Sequence, residues 1–241
     1  MDTPNSFTPV WFDTYLKPYA EALTSIELAF VQRQAPLPTY RALLDLCCGD
    51  GRLAIPLAAR GYAVTGWERA ARMVADARAR ASAAGADGAR FIQADMRELG
   101  RAPGPYDVVI NMWHSFGYFD AETNASIVRA IHEQLNPHGR FIIDLYNRRY
   151  FAAHQGVEVV ERDGRRITMT RAMSGNRLTV RINYGSDAPA DTFDWQLYTA
   201  EEFSALAERT GFRRLVACCW ADESRAITPA DGRMQLVFEK A

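Results

Sequence analysis

Between residues 41 and 147 the chain alternates short, almost wholly apolar runs with segments of helical spacing. RALLDLC is followed by GRLAIPLAARG, YAVTGW by an alanine-rich helix over residues 70–84 closed by Gly85, and ARFIQAD by YDVVINMW. A helix over residues 121–135, capped by Asp120, then leads into PHGRFIIDLYN. A strand that is apolar on both sides needs cover on both faces, and strand–helix–strand repeats with right-handed crossovers supply that cover. The pattern therefore predicts a doubly wound α/β sheet, mostly parallel.

Two segments depart from this alternation. Residues 13–34 place Leu16, Tyr19, Ala20, Leu23, Ile26 and Phe30 on one helical face, which predicts an amphipathic helix entered or kinked at Pro18. Residues 156–198 alternate polar and apolar positions, with turn signals at Asp163-Gly164 and Ser174-Gly175-Asn176, so an antiparallel β insertion is expected. Regular spacing resumes at Thr199-Ala-Glu-Glu202, a capping box opening a helix that ends at Gly211. FRRLVACCW and MQLVFEK follow with only residues 221–233 between them, too few for a crossover helix, so these strands should pair as a hairpin. The expected organisation is a single domain over residues 1–241 with an N-terminal helical cap over residues 1–38.

Composition limits the functional classes. At 48% hydrophobic and 24% charged the chain is ordinary globular protein, which excludes disordered and collagen-like readings. With 28 basic and 29 acidic residues the formal charge is -1, so no overall field gathers nucleic acid or an anionic membrane. MDTPNSFTPV lacks a basic stretch and an apolar core, and no apolar run is long enough to span a bilayer, so a soluble, cytoplasmic protein is expected. Cys47-Cys48 and Cys218-Cys219 have neither zinc-knuckle nor disulfide-framework spacing and read as small buried residues. His132 and His138 lack metal-ligand neighbours, and no metal is expected.

Gly49-Asp50-Gly51-Arg52-Leu53-Ala54 fits G-x-G-x-x-[GA], and Glu68 closes the next strand nineteen residues after Gly49. That spacing provides a small-residue turn where a ligand can approach backbone and a carboxylate able to accept from both hydroxyls of a ribose. Asp45 and Asp50 discriminate between nucleotides. Each would repel a diphosphate by on the order of a kcal/mol. A sulfonium with an ammonium tail reverses the sign, which favours S-adenosylmethionine over a dinucleotide. Arg52, the one local base, reads as balancing the acids of the turn.

The string LLDLCCGDGRLAIPLAARGYAVTGWERAARMVADARARA resembles the first two motifs of the class I S-adenosylmethionine-dependent methyltransferases, and FIQADMREL resembles their adenine-side motif. YDVVINMWHSFGYFD, LNPHGRFIIDLYN and LYTAEEFSALAERTGF continue the order, so the resemblance covers residues 42–212 apart from the insertion. It implies a seven-stranded, mostly parallel sheet with its last strand antiparallel. By similarity, Asp45, Cys47, Gly49 and Gly51 face the methionine part, Glu68 and Arg69 the ribose, and Asp95 with Met96 the adenine. Met73 and Met96 serve either that pocket or the core. Cys47 replaces a usual glycine and Glu68 a usual aspartate. A cysteine is expected there with negative φ, at the strand end.

Asn111-Met-Trp-His-Ser-Phe-Gly-Tyr-Phe119 follows the fourth strand, where ligands bind in open α/β sheets. Asn111 and Trp113 are expected on the cofactor side of this wall, His114 and Tyr118 as candidate catalytic groups, and Ser115 towards the acceptor. His114 is the titratable base near neutral pH. Tyr146 and Arg148 form a second candidate acceptor wall, and Tyr15 and Tyr19 a lid over cofactor and acceptor. The insertion, rich in arginine, is expected beside the acceptor site and is the candidate specificity element. The reading is methyl transfer to nitrogen or oxygen of a small molecule. A peptide, protein or RNA acceptor, a noncatalytic binding module and an NAD-dependent oxidoreductase are the alternatives, and the oligomeric state, monomer or homodimer, stays open.

Overall fold

Leu43 and Leu44 are neighbours in sequence but belong to different hydrophobic cores. In the computed structural model, which describes residue 5 and residues 8–162, 164–185 and 189–241, with backbone alone for residues 15–21, such alternation runs through the central strands. The elements in order are α1 (Pro9–Trp11), a π-helical turn (Phe12–Leu16), α2 (Lys17–Gln34), β1 (Ala42–Leu46), α3 (Ala54–Ala59), β2 (Ala63–Glu68), α4 (Ala71–Ala83) and β3 (Ala89–Gln93). A 3-10 turn (Met96–Arg101), β4 (Tyr106–Asn111), α5 (Ala121–Gln134), β5 (Leu135–Tyr146) and α6 (Arg148–Ala153) follow. Then come β6 (Gly156–Arg162), β7 (Arg165–Ser174), β8 (Arg177–Asn183), β9 (Asp191–Gln196), α7 (Ala200–Glu208), β10 (Phe212–Cys218) and β11 (Arg233–Lys240).

Seven strands form one sheet in the order β10-β11-β5-β4-β1-β2-β3, with β11 antiparallel to both neighbours and the other adjacent pairs parallel. The hairpin of the last two strands is as their short connection requires. Because side chains alternate across a strand, Leu43, Val108, Ile110, Ile142 and Val237 meet α2, α3 and α4 on one face. Leu44, Val109, Ile143, Leu236 and Phe238 meet α5, α7 and the 3-10 turn on the other. Each such fully buried aliphatic side chain contributes about 1.5–3 kcal/mol. Both spelled helix starts form: Asp120 Oδ1 accepts from Thr123 N at 2.8 Å, and Thr199 and Glu202 close their capping box at 3.2 and 2.9 Å.

The insertion is a separate four-stranded antiparallel sheet, β6-β7-β8-β9, whose hairpins join Arg162 to Arg165 and Ser174 to Arg177. Asp163 of the first turn lies outside the described residues. This sheet has its own core of Ile167, Leu178, Ile182, Phe193 and Trp195, and Tyr118, from the segment after β4, and Tyr146, at the end of β5, pack against it. The N-terminal segment is fastened to β9: Thr8 donates through N and Oγ1 to Asp191 at 3.0 and 2.7 Å, and Trp11 packs on Phe193 with ring centroids 5.8 Å apart.

The apolar stripe expected on the leading helix is corrected at Ile26, and the side chains of Leu16, Tyr19 and Ala20 lie outside the described residues. The π-helical turn precedes α2, Phe30 is buried as expected, and Ile26 is 47% exposed while Glu27 beside it is buried. Apolar spacing does not register that Glu27 has two arginine partners waiting on other elements. Among the described residues, no helix is long and apolar enough to cross a membrane.

Candidate functional site

The carboxyl ends of β1, β2, β4 and β5 converge on the turn after β1. Cys47 N and Cys48 N both point at Trp67 O, at 2.7 and 3.3 Å, and Gly51 N closes the turn onto Cys48 O at 3.0 Å. Cys47 takes φ +64°, contrary to the negative value expected. A left-handed non-glycine residue costs roughly 1–2 kcal/mol, and here the hydrogen bond to β2 holds it while the small side chain reaches Ser115 O at 3.8 Å. Gly49 and Gly51 have φ +56° and +81°. A Cβ on Gly51 would sit 2.9 Å from Ile55, whereas one on Gly49 would meet nothing within 4 Å, so the Gly49 backbone faces open space.

Glu68 ends β2 across this turn. Its carboxylate accepts from Gly49 N at 3.1 Å and Ala70 N at 2.8 Å. Asp45, one strand inward, is buried, and burial pushes its carboxyl up to about 7, against the opposing charge of Arg52 and the N–H of Ala54. A cationic ligand would relieve that cost. Asp50 pairs with exposed Arg80. Arg52 does not balance the turn through direct contact: it pairs with Glu27 of α2 at 2.6 Å and bonds Thr24 at 3.0 Å.

Asn111, fully buried at the end of β4, donates to Leu46 O at 2.8 Å and Ser115 O at 3.4 Å, while its Oδ1 has no hydrogen-bond partner among the described residues. An unpaired buried acceptor beside an open glycine backbone and two carboxylates suits a ligand with an ammonium and ribose hydroxyls. The residues present therefore fit S-adenosylmethionine.

Trp113 and His114 are consecutive left-handed residues, φ +63° and +48°. Asp144, fully buried in β5, clamps them: its Oδ2 accepts from Trp113 N at 3.0 Å and its backbone O from His114 N at 3.1 Å. Asp144 in turn pairs with Arg233 of β11 and accepts from Gln235 Nε2 at 2.8 Å. Arg233 reaches Glu27 at 2.8 Å, Trp113 Nε1 donates to Glu27 at 3.2 Å, and the guanidinium carbons of Arg52 and Arg233 each lie 5.2 Å from the Trp113 ring centroid. Glu27 thus connects the turn after β1 to the wall after β4. Sequence reasoning missed Glu27, Asp144 and Arg233. The available signal was an acid inside the apolar run FIIDLY.

His114 stacks on Tyr146, ring centroids 3.8 Å apart and 10° from parallel. Burial, then the charges of Arg233 and Arg52, push the imidazole pKa well below its ordinary value, so His114 is neutral at pH 7. Burial raises Tyr146 to about 12 and Tyr118 further, so both phenols keep their protons. The Tyr118 ring packs on Trp195, with centroids 6.2 Å apart. These groups can supply a neutral base and phenolic donors.

Asp95 accepts from Arg97 N at 2.9 Å and pairs with its guanidinium at 2.8 Å, which holds the carboxyl below its usual range. Met73 and Met96 are buried. Arg69 donates to Asn5 O at 2.8 Å, bringing the N-terminal segment to the end of β2. Arg148 pairs with Glu202 of α7 at 2.7 Å. The side chains of Tyr15 and Tyr19 lie outside the described residues.

A family model described as a methyltransferase domain matches residues 43–139. A ubiquinone biosynthesis O-methyltransferase of Xylella fastidiosa (strain 9a5c) is 31% identical over 167 residues, which are 67% of this chain and 66% of that protein. The chain spans 46% and 66% of the length of the first two curated relatives it matches. An S-adenosylmethionine-dependent methyltransferase from Clostridium acetobutylicum ATCC 824 shares the fold with TM-score 0.80 at 13% identity, covering 95% of each chain. The S-adenosylmethionine-bound amino pentose methyltransferase of Micromonospora echinaspora, involved in calicheamicin biosynthesis, does so with TM-score 0.68 at 20% identity over 100% of each chain.

Proposed function

Since the chain belongs to the class I S-adenosylmethionine-dependent methyltransferases, we propose that it transfers a methyl group to a nitrogen or oxygen of a small-molecule acceptor held against His114 and Tyr146. The observation that carries this reading is the stacked pair itself: a neutral imidazole on a protonated phenol, beside the turn that suits the cofactor.

The cofactor supplies an activated methyl on a positively charged sulfur, so the protein has to position the acceptor, exclude water and remove one proton. Glu68 accepts from the ribose hydroxyls in place of Gly49 N and Ala70 N, and the backbone of Gly49 lies against the methionine part. Asp45 and the free Oδ1 of Asn111 take the ammonium. His114 Nδ1 or Nε2 receives the proton of an ammonium or hydroxyl acceptor, and Tyr118 and Tyr146 orient the acceptor as donors. Asp95 and Met96 stand on the adenine side, with the Asp95–Arg97 pair opening to expose the carboxylate.

A small acceptor is supported by the four-stranded sheet, whose core packs against Tyr118 and Tyr146, and by Arg69, which ties the N-terminal segment to the end of β2. It is also supported by the amino pentose specificity of one structural neighbour. The test has two arms. Isothermal titration should show S-adenosylhomocysteine binding and no NAD binding; the reverse result would remove the cofactor assignment. A metabolite pool containing hydroxyl and amine acceptors should then release S-adenosylhomocysteine from S-adenosylmethionine, and release only with peptide or RNA would move the acceptor to a macromolecule.

A further inference from the structure

Among the described residues, five large hydrophobic side chains are exposed, and two of them, Ile26 at 47% and Trp220 at 55%, stand on the wall of one cavity of about 250 Å³. The cavity lies between α2 and the segment joining β10 to β11. Leu23 completes its apolar side, and Glu27, Arg225, Arg233 and Gln235 provide its polar side. It is separate from the open face of Gly49, though Arg233 and Glu27 are shared with the clamp on Trp113.

The walls are fixed in place. Arg33 of α2 donates to Ala221 O at 2.9 Å and pairs with Glu223 at 3.1 Å, while Ala221 N donates to Gln235 Oε1 at 2.9 Å and Cys219 N to Arg225 O at 3.2 Å. This bracing holds Trp220 and Ala221 in consecutive left-handed conformations, φ +59° and +55°. Two strained residues that keep an indole at the surface are unfavourable for folding alone, and strain of this kind concentrates at ligand sites. The neighbouring acids are already engaged: Glu27 by Arg52 and Arg233, Glu223 by Arg33 and Asp222 by Ser224. Arg225 therefore has no ion-pair partner among the described residues, although the Asp222 charge lies nearby. An unpaired guanidinium, an exposed indole and an aliphatic patch around one small cavity recognise a flat apolar group carrying a negative charge.

We infer that this cavity binds a small aromatic carboxylate, with the ring against Trp220, Leu23 and Ile26 and the carboxylate on Arg225. The site is independent of the methyl-transfer reading, because none of its selective contacts belongs to the cofactor turn or to the His114–Tyr146 pair. Arg233 and Glu27 on the same wall neutralise each other, so the charge a ligand meets is that of Arg225, which attracts a carboxylate and repels an ammonium of the same shape.

The probe is 2-naphthoate, titrated into the full chain by calorimetry with and without saturating S-adenosylhomocysteine; 2-naphthylmethylamine is its cationic counterpart. The expected result is one naphthoate per chain, alike in both conditions, with the amine about tenfold weaker or worse. Trp220→Ala and Arg225→Gln should each weaken naphthoate by about tenfold and leave S-adenosylhomocysteine affinity as in the parent, which also reports that the fold is intact. No naphthoate binding at millimolar concentration, equal affinity for the amine, displacement by S-adenosylhomocysteine, or indifference to both substitutions would each overturn the assignment. Failure of S-adenosylhomocysteine itself to bind touches the methyl-transfer reading alone.

Discussion

Asp144 Oδ2 accepts the backbone N–H of Trp113 at 3.0 Å, and in the same side chain it balances Arg233. One buried carboxylate therefore holds the left-handed Trp113–His114 pair and neutralises the guanidinium that lies 5.2 Å from the Trp113 ring centroid. Removing one member of such a pair leaves the other charge buried, so Asp144→Ala should destabilise the fold by about 3–5 kcal/mol. Asp144→Asn keeps an acceptor for Trp113 and separates the roles: a smaller loss of stability, with turnover lowered more than cofactor affinity. Thermal unfolding together with S-adenosylhomocysteine titration distinguishes these outcomes, and an Asn variant with parental turnover argues against a positioning role.

The Glu68 carboxylate accepts from the backbone N–H of Gly49, where the chain faces open space. Glu68→Ala should weaken S-adenosylhomocysteine binding by about 1–3 kcal/mol through loss of charged hydrogen bonds. A dissociation constant equal to that of the parent, in a folded variant, excludes Glu68 from the ribose site.

Asp45 gives the pH dependence a sign. Its carboxyl sits at about 7 because burial favours the neutral form, and the ammonium of S-adenosylmethionine favours the ionised form. Binding therefore expels a proton at pH values below about 7, and affinity should rise with pH through the range about 6–7 by up to about 1.4 kcal/mol per unit before levelling off. Asp45→Asn should flatten this profile. Calorimetry in buffers of different ionisation enthalpy measures the proton directly, and a pH-independent affinity in the parent removes Asp45 from the ammonium site.

His114 works as a base only when neutral. Because its pKa is depressed by burial and by Arg233 and Arg52, the acid limb of turnover should fall below the ordinary histidine range. His114→Ala should lower turnover of an amine or hydroxyl acceptor and leave S-adenosylhomocysteine affinity unchanged. Equal turnover in both proteins assigns His114 to packing against Tyr146.

Local chemistry made much of this molecule readable in advance. The paired apolar runs determined a sheet covered on both faces because each strand had no polar side to give to water, and the short connection before Arg233 determined the antiparallel ending. The turn at Gly49 and Gly51 and the carboxylate of Glu68 were readable because they lie within one strand–helix–strand unit, where spacing along the chain becomes distance in space. Tertiary structure alone decided the rest. The positive φ of Cys47 depends on Trp67 O, from another strand, and the burial of Glu27 on Arg233, which is 206 residues away in sequence. A charged side chain is buried only when partners arrive to replace its water, and apolar periodicity contains no record of which partners those will be.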